Sequence, residues 1–336
     1  MKPHLLKPST RAFWREGRRS GVTLRDRIHG DLYARWPYLY IGVGTGEHRL
    51  ARTLKPLWRL LEKLLQPRAK AAQSGAAAPN GGGFAEGYHG KVVRLESAKQ
   101  LVTLNREIRL ENLEQVIPYQ RARDIVLQNP DHIAVLDCPC RAARAKPCQP
   151  LDVCLIVGEP FAGFMIEHHP ERARRITQEE AAAILEAEHE RGHVHHAFFK
   201  DAMLGRFYAI CNCCACCCGA MQAHRHGTPM LASSGYVSRI NPEECIGCET
   251  CLPFCQFDAL HMEGDVAVVD EARCMGCGVC VSKCPVEAHE LIRDPARGEP
   301  LEIHELLAAH GQTPPAECIA AFVPGELGKW HADYTD

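Results

Sequence analysis

The chain has no long apolar run. Nowhere do apolar residues approach about eighteen in succession, so no membrane-crossing helix is expected. The opening, "MKPHLLKPSTRAFWREGRRSG", lacks the apolar core of a secretory signal, and no hydrophobic stretch follows the twin arginine Arg18-Arg19. A cytoplasmic location is expected, with attachment to the inner membrane face at most peripheral. Also missing are a Ser/His/Asp series, a paired-carboxylate motif, a phosphate-binding loop and a flavin signature, so no substrate can be named. The nearest approach to a dinucleotide loop is "GVGTGEH", residues 42–48. Its third glycine comes too early, and Glu62, the acidic residue twenty positions on, falls in a helical pattern, so the stretch reads as a glycine turn.

What is abundant is cysteine, 19 in 336 residues. Reducing compartments keep thiols free, so cysteine at this density points to metal rather than disulfides. Charge is unevenly spread. Residues 1–70 carry 16 Lys+Arg against 5 Asp+Glu, whereas the whole chain is at −2. A basic segment on an acidic body implies an anionic partner, or packing of the segment on the body itself.

In chain order, residues 1–68 read as a basic amphipathic N-terminal arm. Within it Leu50, Leu54, Leu57, Trp58, Leu61, Leu64 and Leu65 recur at helical spacing, and "YLYI" before Gly42 looks strand-like. Small residues and glycine make 69–90 a flexible linker. Residues 91–235 are expected to form a mainly helical, cysteine-rich metal-binding domain. In it "YQRARDIVLQN" reads as a helix broken by Asn129-Pro130, and "HIAVLD" as a strand leading to Cys138. Thr177 and Glu180 form a capping box before "AAAILEAEHERG", with Gly192 as its stop. Residues 236–292 contain a repeat, with four-cysteine runs beginning at Cys245 and Cys274. Between them "ALHM" and "VAVV" flank "EGD" as a hairpin. Residues 293–336 remain as a C-terminal tail.

The runs are "CIGCETCLPFC" and "CMGCGVCVSKCP", both C-x2-C-x2-C-x3-C. Here the sequence resembles the bacterial two-cluster ferredoxins over about 57 residues, with Gln256 in place of the proline usual after the first run. The resemblance implies two [4Fe-4S] clusters. One would be held by Cys245, Cys248, Cys251 and Cys284, the other by Cys274, Cys277, Cys280 and Cys255. Gly247, Gly276 and Gly278 would let the loops bend around them, and Ile246, Met275, Val279 and Val281 would shield them from water.

Ten further cysteines precede this unit. "DCPCRAARAKPCQPLDVC" supplies Cys138, Cys140, Cys148 and Cys154. "ICNCCACCCGAM" supplies Cys211, Cys213, Cys214, Cys216, Cys217 and Cys218. They are candidate ligands for one or two additional iron–sulfur clusters, with zinc and a metal-free reactive dithiol as the alternatives. Arg141 and Arg144 are candidates to offset cluster charge. His168, His169, His193, His195, His196, His224 and His226 flank the stretches as mainly structural residues, and Cys318 stands alone. The pairing of a Cys-x-Cys-Arg stretch with a CNCCxCCC stretch resembles uncharacterised iron–sulfur proteins of anaerobic microbes.

The expected fold is α+β: a mainly helical cysteine-rich domain followed by a ferredoxin-like two-cluster βαβ-repeat domain. The expected function is relay of single electrons between redox partner proteins, more a carrier or redox subunit than a stand-alone enzyme. The basic arm would dock a partner or the membrane face, and nucleic acid is not an expected partner. The competing function is an iron–sulfur oxidoreductase whose cysteine-rich domain is the catalytic site, fed by the ferredoxin clusters.

Overall fold

The computed structural model describes residues 7–48 and 82–312. The leucine-rich helix expected after residue 49, the part of the expected 69–90 linker up to residue 81 and Cys318 lie outside them, and the rest of that stretch is a short helix, Gly82–Gly87, and the start of a strand.

The expectation of a mainly helical cysteine-rich domain is overturned. Its frame is an eight-stranded mixed sheet. The strands are β1 (Tyr88–Val93), β2 (Ile108–Leu110), β3 (Ile125–Asp137), β4 (Asp152–Glu159), β5 (Ala173–Ile176), β6 (Val194–Lys200), β7 (Arg206–Cys213) and β8 (Leu231–Ala232). The order is β2-β3-β4-β7-β6-β1-β8, with β5 also on β3. Only β1 and β8 pair in parallel within it.

Helical spacing is a poor guide to such strands because they are buried on both faces. Every residue of β6, "VHHAFFK", is buried, so no alternation marks it. "YQRARDIVLQN" fails as a helix for a related reason. Ile125, Val126 and Leu127 pair with β2, and β-branched side chains suit that pleat. Asn129-Pro130 does not end an element. It sits in an irregularity of β3, where the register against β4 shifts between Gln128 and Ile133. The helix Gln178–Glu190 forms as expected, with Thr177 accepting from the Glu180 amide.

"YLYI" is helical rather than extended. Three helices, α1 (Pro8–Arg19), α2 (Leu24–Arg35) and α3 (Pro37–Thr45), lie against the sheet domain. Pro37 opens α3 with its backbone angle already helical, and Gly46 closes it in the left-handed conformation. Phe13, Tyr33 and Ala34 join the main core. Glu16 meets the buried Arg206 at 3.2 Å, and the Tyr38 hydroxyl donates to the Asp137 carbonyl at 2.9 Å. The described part of the basic segment is therefore packed on the body.

The repeat unit adds two small sheets. One pairs β9 (Tyr236–Ile240) with β12 (His289–Arg293). The other pairs β10 (Leu260–Glu263) with β11 (Val266–Val269), the hairpin expected around "EGD". The unit lands on the C-terminal end of the helix Gln178–Glu190. Lys283 pairs with Glu190 at 2.6 Å, Ser282 bonds His189 at 2.9 Å, and Phe254 covers Gly192. A further helix, Ile303–Ala309, buries Ile303 and Leu307 in the main core.

Candidate metal centres

The two four-cysteine runs are shaped by equivalent backbone constraints. Gly247 and Gly276 both have left-handed φ. A Cβ on Gly247 would lie 2.4 Å from the Asp265 carbonyl oxygen, and one on Gly276 would lie 2.1 Å from that of Tyr236. Only glycine permits such an approach. The last thiol of each run receives a backbone amide: Ala259 donates to Cys255 and Ala288 to Cys284, both at 3.2 Å. The runs also interleave. Burial and the neighbouring thiols Cys248, Cys284 and Cys245 push the Cys251 thiol up to about 11. A small cavity is lined by Cys274, Cys277 and Cys280 together with Cys255 from the other run. Thiols converging on a cavity with amides aimed at sulfur form a donor set for iron–sulfur clusters.

Residues 238–292 match the family model of a 4Fe-4S dicluster domain. No curated protein matches the chain.

The dicluster domain is unequal in its exposure. Its first loop faces solvent, with Cys248 exposed and Ile246 65% exposed, so Ile246 does not shield as expected. Its second loop faces inward. Cys274 is buried, and Val279 packs with Val92 and Val194 of the central sheet. Gln256 is the residue at the position where proline was expected. Its amide accepts from the Ala215 N–H at 2.8 Å and donates to the Gly192 carbonyl at 3.0 Å, so it joins the dicluster domain to the cysteine-rich turn.

The ten other cysteines separate into six and four. Eight line a cavity of about 60 Å³, and two of the eight, Cys214 and Cys217, belong also to the group of four. Pairing positions the other six: Leu136 of β3 faces Cys154 of β4, and the β4–β7 register brings Cys154 beside Cys211. Side chains two apart on a strand share a face, so Cys213 follows Cys211. Cys138 and Cys140 enter from the end of β3, and Cys218 from the start of the helix Gly219–Arg225. Their thiols adjoin in a chain, Cys211–Cys154–Cys138–Cys140–Cys218–Cys213. Tyr33, Tyr88, Tyr208 and Ile41 are also part of the lining, so α2 and α3 help enclose the chamber.

Contact with Cys140, together with burial, pushes the Cys138 thiol up to about 12. Against a lowering contact from Cys218, burial still leaves Cys213 at about 12. A reactive dithiol needs the opposite shift. Neutral thiols gathered in an apolar chamber become thiolates when a metal supplies positive charge, which fits soft-metal binding. The other four, Cys148, Cys214, Cys216 and Cys217, stand together nearer the surface.

The side-chain hydrogen bonds of both arginines go to oxygen and nitrogen acceptors, while the Arg141 charge also acts on Cys138 and Cys154 in the chamber wall. Arg141, 1% exposed, pairs with the buried Glu188 at 2.5 Å and donates to the carbonyls of Pro150 and Asn212. Arg144 donates to the Cys217 carbonyl at 3.1 Å and pairs with Glu47. Both fix the cysteine-bearing loops. Among the histidines, His193 bonds Glu188, His168 bonds Thr10, and His195 donates to Asn212 Oδ1. Sequence reasoning missed Glu188, Asn212 and the roofing tyrosines. Asn212 had a legible signal: between two cysteines on a strand, it must face away from them. Tyr33 and Tyr88 had none, because they reach the chamber from distant segments, whereas Tyr208 shares β7 with Cys211.

Proposed function

We propose that the chain is a multi-cluster iron–sulfur electron-transfer protein that relays single electrons from a surface docking site to a buried centre. Cys245, Cys248, Cys251 and Cys284 would hold the outer [4Fe-4S] cluster, and Cys255, Cys274, Cys277 and Cys280 the inner one. The six-thiol chamber would hold a further iron–sulfur cluster. These clusters supply one-electron chemistry when bound. The chain's own residues anchor the thiolates, exclude water from the inner sites and present the outer loop to a redox partner protein.

The observation that carries this reading is a short path. Val194 pairs in register with Cys213 of the chamber and packs against Val279, the residue before Cys280. Two valine side chains, Val194 and Val279, thus lie between Cys213 of the chamber and Cys280 of the inner run, while the outer run meets solvent. The Ala259 and Ala288 amides would stabilise the reduced, more negative state of the clusters whose sulfurs they reach.

A second reading, catalysis in the chamber, draws on the surplus of thiols. Six exceed the four that saturate one cube. Anaerobic purification with iron and acid-labile sulfide counts, followed by redox titration, tests the proposal. About twelve irons or more and reversible one-electron steps are expected. About eight irons would remove the chamber cluster, and no reversible step would remove the relay.

A further inference from the structure

The four-thiol set differs from every other cysteine group among the described residues. Cys148, Cys214, Cys216 and Cys217 have their sulfurs all within 4.8 Å of one another. The separations include 3.1 Å for Cys214–Cys216, 3.2 Å for Cys148–Cys216, 3.7 Å for Cys148–Cys214 and 3.8 Å for Cys216–Cys217. All four are free thiols. A tetrahedral ion with metal–sulfur bonds of about 2.3 Å has sulfur–sulfur edges of about 3.8 Å. A cube spreads its thiolates further, because each binds a different iron at a different corner. The molecule contains its own comparison. Among the described residues no other three or more Cys, His, Asp or Glu ligand atoms lie this close, and that includes the eight cysteines of the dicluster domain.

We propose that Cys148, Cys214, Cys216 and Cys217 form a closed tetrahedral site for a single zinc ion, separate from the iron–sulfur centres. Four protein sulfurs leave no position for water or substrate, so the site is structural. Thiolate donors suit zinc, which lies above ferrous iron in the usual order of affinity and has no redox chemistry to expose at a solvent-facing Cys216. The fold shows what the ion would fasten. Cys148 sits in "RAKPCQP", which forms no helix or strand, and the other three sit in the turn after β7. That turn carries the Ala215 amide bound by Gln256, and Cys214 and Cys217 also line the six-thiol chamber. Zinc would tie the loop to the turn over the chamber, where the dicluster domain docks.

The test is metal analysis of the full chain purified anaerobically after growth with zinc and iron supplied. About one zinc per chain is expected, with four sulfurs at about 2.3 Å by zinc X-ray absorption. The double variant Cys148→Ser/Cys216→Ser should lose the zinc and keep the iron and sulfide content. Cys277→Ser should lose iron and keep the zinc. Absence of zinc, iron in its place, nitrogen or oxygen ligands to zinc, or zinc retained by the double variant would each overturn the proposal. So would a loss of iron and sulfide in a double variant whose far-ultraviolet circular dichroism matches the parent, because those thiols would then hold a cluster. If the double variant does not fold, the absorption spectrum of the unmodified protein decides alone.

Discussion

The dicluster domain and the sheet domain gather thiols in opposite ways. In the first, each run is a local loop, and its spacing and glycines bring three sulfurs to one side. In the second, Cys154 and Cys211 meet because β4 and β7 pair, although 56 positions separate them in the chain. A local loop needs only its own turns to be right. A register-built site needs the whole sheet, and it also needs buried charges to hold the strand ends where the cysteines emerge. The two regions should therefore fail differently when damaged.

The largest effect is expected at Arg141. Alanine there removes the buried guanidinium from Glu188, leaving it only His193 and the half-exposed Arg191, and frees the Pro150 and Asn212 carbonyls. A loss of about 3–5 kcal/mol is expected in denaturant unfolding. The chamber and the loop of Cys148 should be disordered together, while the spectroscopic signature of the dicluster domain survives. A variant as stable as the parent would break the contrast between the two regions.

Next is Gly276→Ala. A methyl group 2.1 Å from the Tyr236 oxygen cannot be accommodated without moving the loop, and the left-handed φ adds strain of about 1–3 kcal/mol. The expected outcome is loss of about four irons from the inner set, with the chamber's content unchanged. Equal loss from both regions would show that the chamber depends on the dicluster domain.

Gln256→Ala should act on the junction alone. It removes two hydrogen bonds between the regions, at a cost of about 1–3 kcal/mol. Iron content should stay the same while internal electron transfer, followed by rapid-freeze spectroscopy, slows. An unchanged rate would mean that Val194 and Val279 suffice to hold the path. Lys283→Ala should be the mildest, below about 1 kcal/mol, because Glu190 is largely exposed.

Legibility in the sequence followed the same division. Cys255 of the first run and the first three cysteines of the second could be grouped from spacing and resemblance, and they line one cavity. The hairpin around Gly264 and the capped helix after Thr177 were also readable, because turn and cap chemistry is local. The sheet was not. Strands buried on both faces lose the alternation that marks a strand, so "IVLQ" passed for a helix and the domain for a helical one. "YLYI" misled in the other direction, because aromatic and β-branched residues favour strands until Pro37 and Gly46 frame them as a helix.

By itself, then, the sequence determined the ligand types, the local loops of the dicluster domain and the ten thiols that precede it. Tertiary structure alone decided how those ten divide. Cys216, Cys217 and Cys218 are consecutive, yet Cys218 faces only the chamber, Cys216 joins Cys148 outside it, and Cys217 stands between the two groups. Adjacent side chains must diverge, and where each one ends up depends on which distant strand or loop lies in its path.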